Sequence, residues 1–168
     1  LSLLPPYNTL WAQVIRVRDP PQIITDTVTV EFSFPDNAES ASKTNFWEYE
    51  DKLYGTELPD NTGLTGLGLS GEMVAKGNYF IADGIPATPY PDNDLQNPDP
   101  YQLALIKVYD QTGNLLTQSQ PVLPVSNEIG CVKSGCHSNE QDIIDEHEDE
   151  GGFDRNNKPI LCVSCHAS

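Results

Sequence analysis

Hydrophobic and polar residues alternate in several short stretches of the chain, and these stretches predict β-strands. The clearest is 27–34, because every second residue in it is apolar. The apolar positions of this stretch are Val28, Val30, Phe32 and Phe34. A period of two is typical of a strand with one buried face. Residues 10–17 alternate more loosely, and 79–82 form a shorter candidate strand.

The alternation continues in the second half of the chain. Residues 101–109 are the longest strand candidate, 110–114 have the composition of a hairpin turn, and 115–119 return. No long helical pattern lies among these stretches. We therefore predict a mainly β fold, with an immunoglobulin-like β-sandwich over residues 1–125.

Residues 63–71 are rich in glycine, as a phosphate loop would be. Their spacing does not match such a loop, and no Gly-Lys-Ser/Thr follows them. We predict instead a tight loop that packs leucines.

The pattern changes after residue 125, where the apolar alternation stops. All four cysteines and all three histidines lie from Cys131 onward. We predict that residues 126–168 form a small, largely irregular segment with one short helix. Ser138 and Gln141 have the spacing of a capping box for that helix, and Gly151-Gly152 would end it.

The sequence Cys162-Val163-Ser164-Cys165-His166 is a Cys-x-x-Cys-His motif, the attachment signal for c-type haem. The two cysteines can each form a thioether with a haem vinyl group. The histidine that follows can then bind the iron as its proximal ligand. This motif predicts a covalently attached haem near the C-terminal end.

A second, less specific motif runs from Cys131 to His137, with four residues between Cys131 and Cys136. The order is the same, because His137 directly follows the second cysteine. Gly135 would ease the bend that the two extra residues require. We predict a second haem c here, with His137 as proximal ligand.

His147 would lie on one face of the predicted helix with Ile143 and Ile144. We predict that it is a distal ligand of the Cys131/Cys136 haem; the alternative is a solvated histidine in an acidic helix. Two bis-histidine haems need four histidines, and the chain has three. The remaining position would be open, or filled by Met73 or another atom, by sequence beyond this chain, or by a neighbouring subunit.

Zinc is the main rival for these residues, because two cysteine pairs some distance apart resemble a zinc ribbon. Structural zinc motifs, however, do not require a histidine directly after both pairs, nor a third histidine on a helix face. Disulfide bonds in a secreted domain are a further alternative. A thioredoxin-like pair is disfavoured, since no βαβ pattern surrounds the cysteines.

Charge and hydropathy restrict the partners. The net charge is −16 and the sequence pI is near 4.2, which disfavours nucleic acid and anionic membrane surfaces. No stretch approaches the ~20 apolar residues of a membrane helix. No nucleophile–base pair stands out, so we assign no enzymatic activity. Because the chain starts at Leu1 without Met, we expect a processed or partial chain.

The chain resembles a group of secreted multihaem c-type cytochromes in which a β-rich segment precedes the haem motifs. The resembling residues are 5–15, 84–90, 124–128 and 158–168. The family implies electron transfer, an extracellular or cell-surface location (with the periplasm as the alternative), and other cytochromes or redox partners. Some related proteins form filaments, which implies a homo-oligomer. This chain differs from the usual pattern of the group in two respects. One of its motifs has the spacing Cys-x4-Cys-His, and it has few haem motifs.

We therefore expect an electron-transfer protein with two haems c, bound through Cys131/Cys136 and Cys162/Cys165, with His137, His147 and His166 on iron. The alternative is a structural or adhesive β-domain with a zinc-stapled tail. An open haem position would permit small-molecule redox chemistry, which is the enzymatic alternative.

Overall fold

A computed structural model gives the structure of the chain and describes residues 5–126, 132, 135–149, 151 and 154–156. These residues form a mainly β structure with two helices, α1 (Phe46–Tyr54) and α2 (Glu140–Asp149). The strands are β1 (Asn8–Ala12), β2 (Val14–Arg16), β3 (Gln22–Ile24), β4 (Val28–Ser33), β5 (Ser70–Glu72), β6 (Val74–Lys76), β7 (Tyr79–Ile85), β8 (Tyr101–Leu103), β9 (Leu105–Asp110), β10 (Leu115–Ser119) and β11 (Val122–Pro124).

The strands form two larger sheets and two ribbons, with antiparallel pairing throughout. One sheet has the order β1-β7-β6 and the other β10-β9-β4-β5, while β11 pairs with β8 and β2 with β3. Both larger sheets contribute to one hydrophobic core. Its larger members are Leu10, Val30, Phe32, Phe34, Leu69, Met73, Phe80, Ile85, Ile106, Val108 and Leu123. The predicted mainly β class is confirmed.

The strand predicted at 27–34 is β4, the centre of the four-stranded sheet between β9 and β5. Val30 and Phe32 are buried, Phe34 just beyond the strand is buried as well, and Val28 is partly buried. The alternating pattern therefore identified both the strand and its core face. The hairpin predicted at 110–114 is also present, and it joins β9 to β10.

The single strand predicted at 101–109 is wrong, because the segment contains two strands with different partners. β8 pairs with β11, whereas β9 pairs with β4 and β10. Ala104 lies buried between them and donates its backbone N–H to the carbonyl of Pro121 at 3.0 Å. Burial still alternates from Gln102 to Val108, so the sequence period gives no sign of the change of partner. The segment at 10–17 divides likewise into parts of β1 and β2.

Helix α1 was not predicted, because residues 36–60 are polar apart from one aromatic group and no element was assigned to them. Phe46 packs inward, and the Trp47 indole N–H donates to the carbonyl of Thr62 at 3.0 Å. Gly55 ends the helix at φ +67° and donates its N–H to Asp51. Three sequence features are typical of such a helix: Gly55 directly after its last residue, Glu48 in its first turn and Lys52 in its last turn.

Residues 63–69 of the glycine-rich run form a loop that packs against the last part of β7, and the run ends in β5. The predicted packing of leucines holds for Leu69, which is buried, and for Leu67, which is partly buried, but Leu64 is exposed. A Cβ atom on Gly63 would meet the carbonyl oxygen of Gly84 at 2.3 Å, and the Thr65 hydroxyl donates to the Asp83 carbonyl at 2.7 Å. Glycine is needed here because two backbones approach closely.

The ribbon of β8 and β11 is the last β-structure before the cysteine-containing segment. Its inward side chains, Gln102 and Leu123, are buried. The Asn37 amide donates to the side-chain oxygen of Gln102 at 3.1 Å, and the Val125 N–H donates to the Pro100 carbonyl at 2.8 Å. These contacts fix the position from which the chain leaves the β-structure.

Candidate metal centre

Helix α2 begins with two side-chain hydrogen bonds, and its N-cap is one residue later than predicted. The Asn139 side-chain oxygen accepts from the N–H of Asp142 at 2.9 Å, and the Asp142 carboxylate accepts from the N–H of Ser138 at 2.9 Å. The predicted Ser138/Gln141 pair is wrong, since Gln141 instead donates to Asp145 at 2.6 Å. Asparagine and serine are about equally good N-caps, so the sequence alone did not decide between adjacent positions.

The end of α2 agrees with the prediction. Gly151 has φ +73° and donates its N–H to the carbonyl of Glu148 at 3.0 Å. Arg155 then reaches back to the helix, where it pairs with Asp145 at 3.1 Å and with Glu148. The following chain is therefore held against the last two turns of α2.

His147 is held by its own helix. Its Nδ1 lies 2.6 Å from the backbone carbonyl oxygen of Ile143, one turn earlier, and Ile143 is buried. Because a carbonyl can only accept, Nδ1 carries the hydrogen in this contact. The lone pair of the neutral ring is then on Nε2. Histidines that bind metals commonly donate their other ring nitrogen to a carbonyl or carboxylate in this way.

His137 precedes the helix and follows a tight turn. Gly135 has φ +80° and donates its N–H to the carbonyl of Val132 at 3.0 Å, which is a turn hydrogen bond. The predicted role of Gly135 in a bend is confirmed. Cys136 is exposed, and His137 is half-buried with its Nδ1 4.0 Å from the Asp142 carboxylate.

The two imidazole rings lie next to each other. Their centroids are 5.7 Å apart and their planes are inclined by 45°. Two imidazoles that bind one metal ion from opposite sides, each at about 2 Å from the metal, have ring centroids about 6 Å apart. Two imidazoles on a tetrahedral ion come to about 5 Å. The observed separation lies between these two values and also within the 4.5–7 Å range of ordinary aromatic pairs. The position of His137 directly after Cys136 is the feature that points to haem iron rather than zinc.

Asp142 is the residue that sequence reasoning missed. It joins the helix N-terminus to His137, because one carboxylate accepts from Ser138 and also faces the His137 ring. In the sequence, the one feature that could have identified Asp142 is its position three residues after the N-cap Asn139, where a carboxylate often completes the cap. At 4.0 Å this carboxylate places a negative charge beside the His137 ring without a direct hydrogen bond to it.

The remaining predicted site residues fall into two groups. Cys131, Cys162, Cys165 and His166 lie outside the described residues. Met73 belongs to the hydrophobic core of the β-structure, where it is buried. Within the described part of the chain, no group of three or more His, Cys, Asp or Glu side chains is arranged to hold a metal ion.

Comparison of the chain with family models, with curated proteins and with solved structures found no match. In the described parts of the chain, no helix is both long and apolar enough to cross a membrane. The proposed function therefore depends on the residues of the candidate metal centre.

Proposed function

We propose that the chain is a c-type cytochrome that transfers electrons through two covalently attached haems, one on Cys131/Cys136 and one on Cys162/Cys165. The observation that carries the proposal is the Cys-x-x-Cys-His motif at 162–166. The neighbouring rings of His137 and His147, with centroids 5.7 Å apart, support the second haem. The first of these histidines directly follows Cys136, as haem attachment requires, and α2 supplies the second. When bound, haem supplies one-electron redox chemistry at its iron.

The residues around the pair fit the task of holding iron. The Ile143 carbonyl fixes the tautomer of His147, and the Asp142 carboxylate lies beside Nδ1 of His137. The negative charge of Asp142, 4.0 Å from the His137 ring, would favour the oxidised, more positive state of a metal bound there.

The second motif would hold its haem through Cys162 and Cys165, with His166 as proximal ligand. The chain has three histidines, so this haem would lack a second histidine ligand from the chain. A ligand from sequence beyond this chain or from a neighbouring subunit stays a prediction. Met73 is disfavoured, because its core position makes ligation depend on unpacking the β-structure.

The β-structure is proposed as a scaffold of immunoglobulin-like sandwich type. The single core shared by the three-stranded and four-stranded sheets supports this finer assignment. Two sheets that share one core can hold the haem-binding segment at a fixed position without supplying haem ligands themselves.

The acidic net charge supports encounter with basic redox partners. The net charge of −16 repels nucleic acid and other acidic surfaces, and opposite charge speeds the encounter of redox proteins. Extracellular or cell-surface location, other cytochromes as partners and assembly into a homo-oligomer or filament remain part of the proposal. We assign no substrate turnover.

The test is a pyridine haemochrome assay on the purified full chain, normalised to protein, with peptide mapping of the attached haem. We expect two haems c for each chain. Cys136→Ser and Cys165→Ser are matched variants, and each should abolish the normal double attachment at its own motif only. A protein without haem that contains zinc would overturn the proposal.

A further inference from the structure

Strand β10 is an edge of the four-stranded sheet, and it is exposed along its whole length. Of the described strands, β9 alone pairs with it. All five residues from Leu115 to Ser119 are exposed, so neither face of the strand is buried. Leu115 is 49% exposed and Leu116 is 55% exposed. The outer edge of such a strand presents backbone N–H and C=O groups that can pair with a further strand.

The segment that contains β10 has no charged residue. The chain has 25 acidic and 9 basic residues, yet none of them lies between Asp110 and Glu128. Natural proteins commonly protect edge strands from pairing with charged residues, prolines or β-bulges. β10 has no charged residue and no proline, and its bulge lies at one end, between Leu115 and Thr117. Residues 117–119 pair with β9 in unbroken register, so this part of the edge is open to a further strand.

The other edges of the two larger sheets differ from β10. β5 contains Glu72, and β6 contains Lys76. β1 is uncharged, but its Leu10 is buried in the core, so only the opposite face of that strand is uncovered. Of the four described edge strands in these sheets, β10 alone is both uncharged and exposed on both faces.

We propose that β10 pairs antiparallel with β10 of a second copy of the chain, so that two four-stranded sheets join across a two-fold axis. Two copies with a net charge of −16 repel each other, so a contact between them is favoured where no carboxylates meet. No charges are opposed in any antiparallel pairing of residues 115–119 with themselves. The threonine, glutamine and serine of the strand can hydrogen-bond across such a pair, and its two leucines lose exposed surface. The inference gives the homo-oligomer of the proposed function a specific contact, and it requires no haem.

The size and the chemistry of this contact set its strength. Two five-residue strands cover less surface than the ~800 Å² per partner of a standard stable interface, so we expect a weak dimer. Salt should strengthen it, because ions screen the repulsion between the two acidic chains and the contact contains no ion pair to weaken. A two-fold contact uses the same surface on both copies and closes on itself, so assembly should stop at two chains.

The direct test is sedimentation of the full protein over a range of protein and salt concentrations, with hydrogen exchange measured on the same samples. We expect the mass to rise toward that of two chains and the dissociation constant to fall as salt is added. Exchange of the amides at 114–120 should slow as the dimer forms, whereas exchange in β1 should not change. A chain that stays monomeric, or a dimer that protects β1 and not β10, would overturn the inference.

A second measurement uses the matched variants Leu116→Lys and Leu95→Lys. Leu95 lies in a loop and is 53% exposed, close to the value for Leu116. Both changes lower the net negative charge equally, which by itself would favour association. Because lysine on an edge strand opposes pairing, Leu116→Lys should raise the dissociation constant of the dimer by about tenfold or more, and Leu95→Lys should not raise it. Equal dissociation constants for the two variants would contradict pairing through β10.

The outcomes separate this inference from the proposed function, because a haemochrome assay on the same samples counts haems independently of association. A monomer with two haems would leave the cytochrome in place and remove the β10 contact. A dimer that protects β10 but contains no haem would support the contact and overturn the cytochrome. Assembly that continues beyond two chains without protection of β10 would identify a different surface and overturn the inference.

Discussion

The ring of His147 lies beside that of His137, with 5.7 Å between centroids, although the two residues are ten positions apart. The cap at Asn139 starts α2 immediately after His137, and two turns of helix then bring His147 back to the same side. A histidine that follows a cysteine thereby gains a second imidazole as neighbour. Substitutions at His147 and at Asp142 should therefore affect the same haem.

Replacing His147 by leucine should change the ligation of one haem without releasing it. The haem count should stay the same, because attachment depends on the cysteines. One low-spin ferric signal in the EPR spectrum should become high-spin, since the iron loses a strong axial ligand. Glu146→Leu is the control on the adjacent helix position. Two unchanged low-spin signals in the His147 variant would show that His147 does not bind iron.

Asp142→Asn should raise the reduction potential of the same haem. The amide no longer supports the positive charge of the oxidised site through His137, yet it can still accept from the Ser138 N–H and preserve the helix start. Asp145→Asn removes an equal charge from α2 away from that contact. Potentiometric titration of both variants tests the prediction. Equal shifts would indicate a general charge effect rather than an effect on the ligand.

Gly84→Ala should destabilise the fold more than Gly113→Ala. Both glycines have similar positive φ, +81° and +85°, so alanine costs about 1–2 kcal/mol of unfolding free energy at each. At Gly84 the new Cβ would also meet the Thr65 side chain at 2.4 Å, whereas nothing lies within 4 Å of it at Gly113. We expect an additional loss of about 1–3 kcal/mol at Gly84, measured by urea unfolding. Equal losses would mean that the loop at 63–71 adapts at no cost.

Asp110 in the β9–β10 turn should contribute stability that depends on pH. Hydrogen bonds from Thr112 and Asn114 lower the pKa of Asp110 from 3.8 to about 2. Its contribution is therefore fully present above 3.8 and is lost as the pH falls toward 2. Asp110→Asn should be less stable than the parent chain at neutral pH, and this difference should shrink over that interval.

The control for the pH experiment is Asp26→Asn, the same charge change at an exposed bend. Urea unfolding at a series of pH values gives the difference between each variant and the parent chain. A difference for Asp110→Asn that does not change with pH would contradict the assignment of the turn hydrogen bonds to the ionised carboxylate.

The alternation of apolar residues was sufficient to locate β4 and the β9–β10 hairpin. In both, buried side chains recur at every second position of a short stretch, as at Val30 and Phe32. The same signal did not reveal the division at Ala104, because both strands keep one face buried and the alternation runs on unbroken. Hydrogen-bond partners, rather than side-chain burial, distinguish the two strands.

The sequence by itself determined the mainly β class, the end of α2 at a glycine and the motifs that predict haem attachment. These features depend on residues close together in the chain, where spacing alone sets the geometry. Only the tertiary structure decided which strands share a sheet, that Asn139 and Asp142 cap α2, and that His137 and His147 meet. Each of these depends on the direction in which one segment leaves another, and that direction is set by packing and hydrogen bonds summed over distant residues.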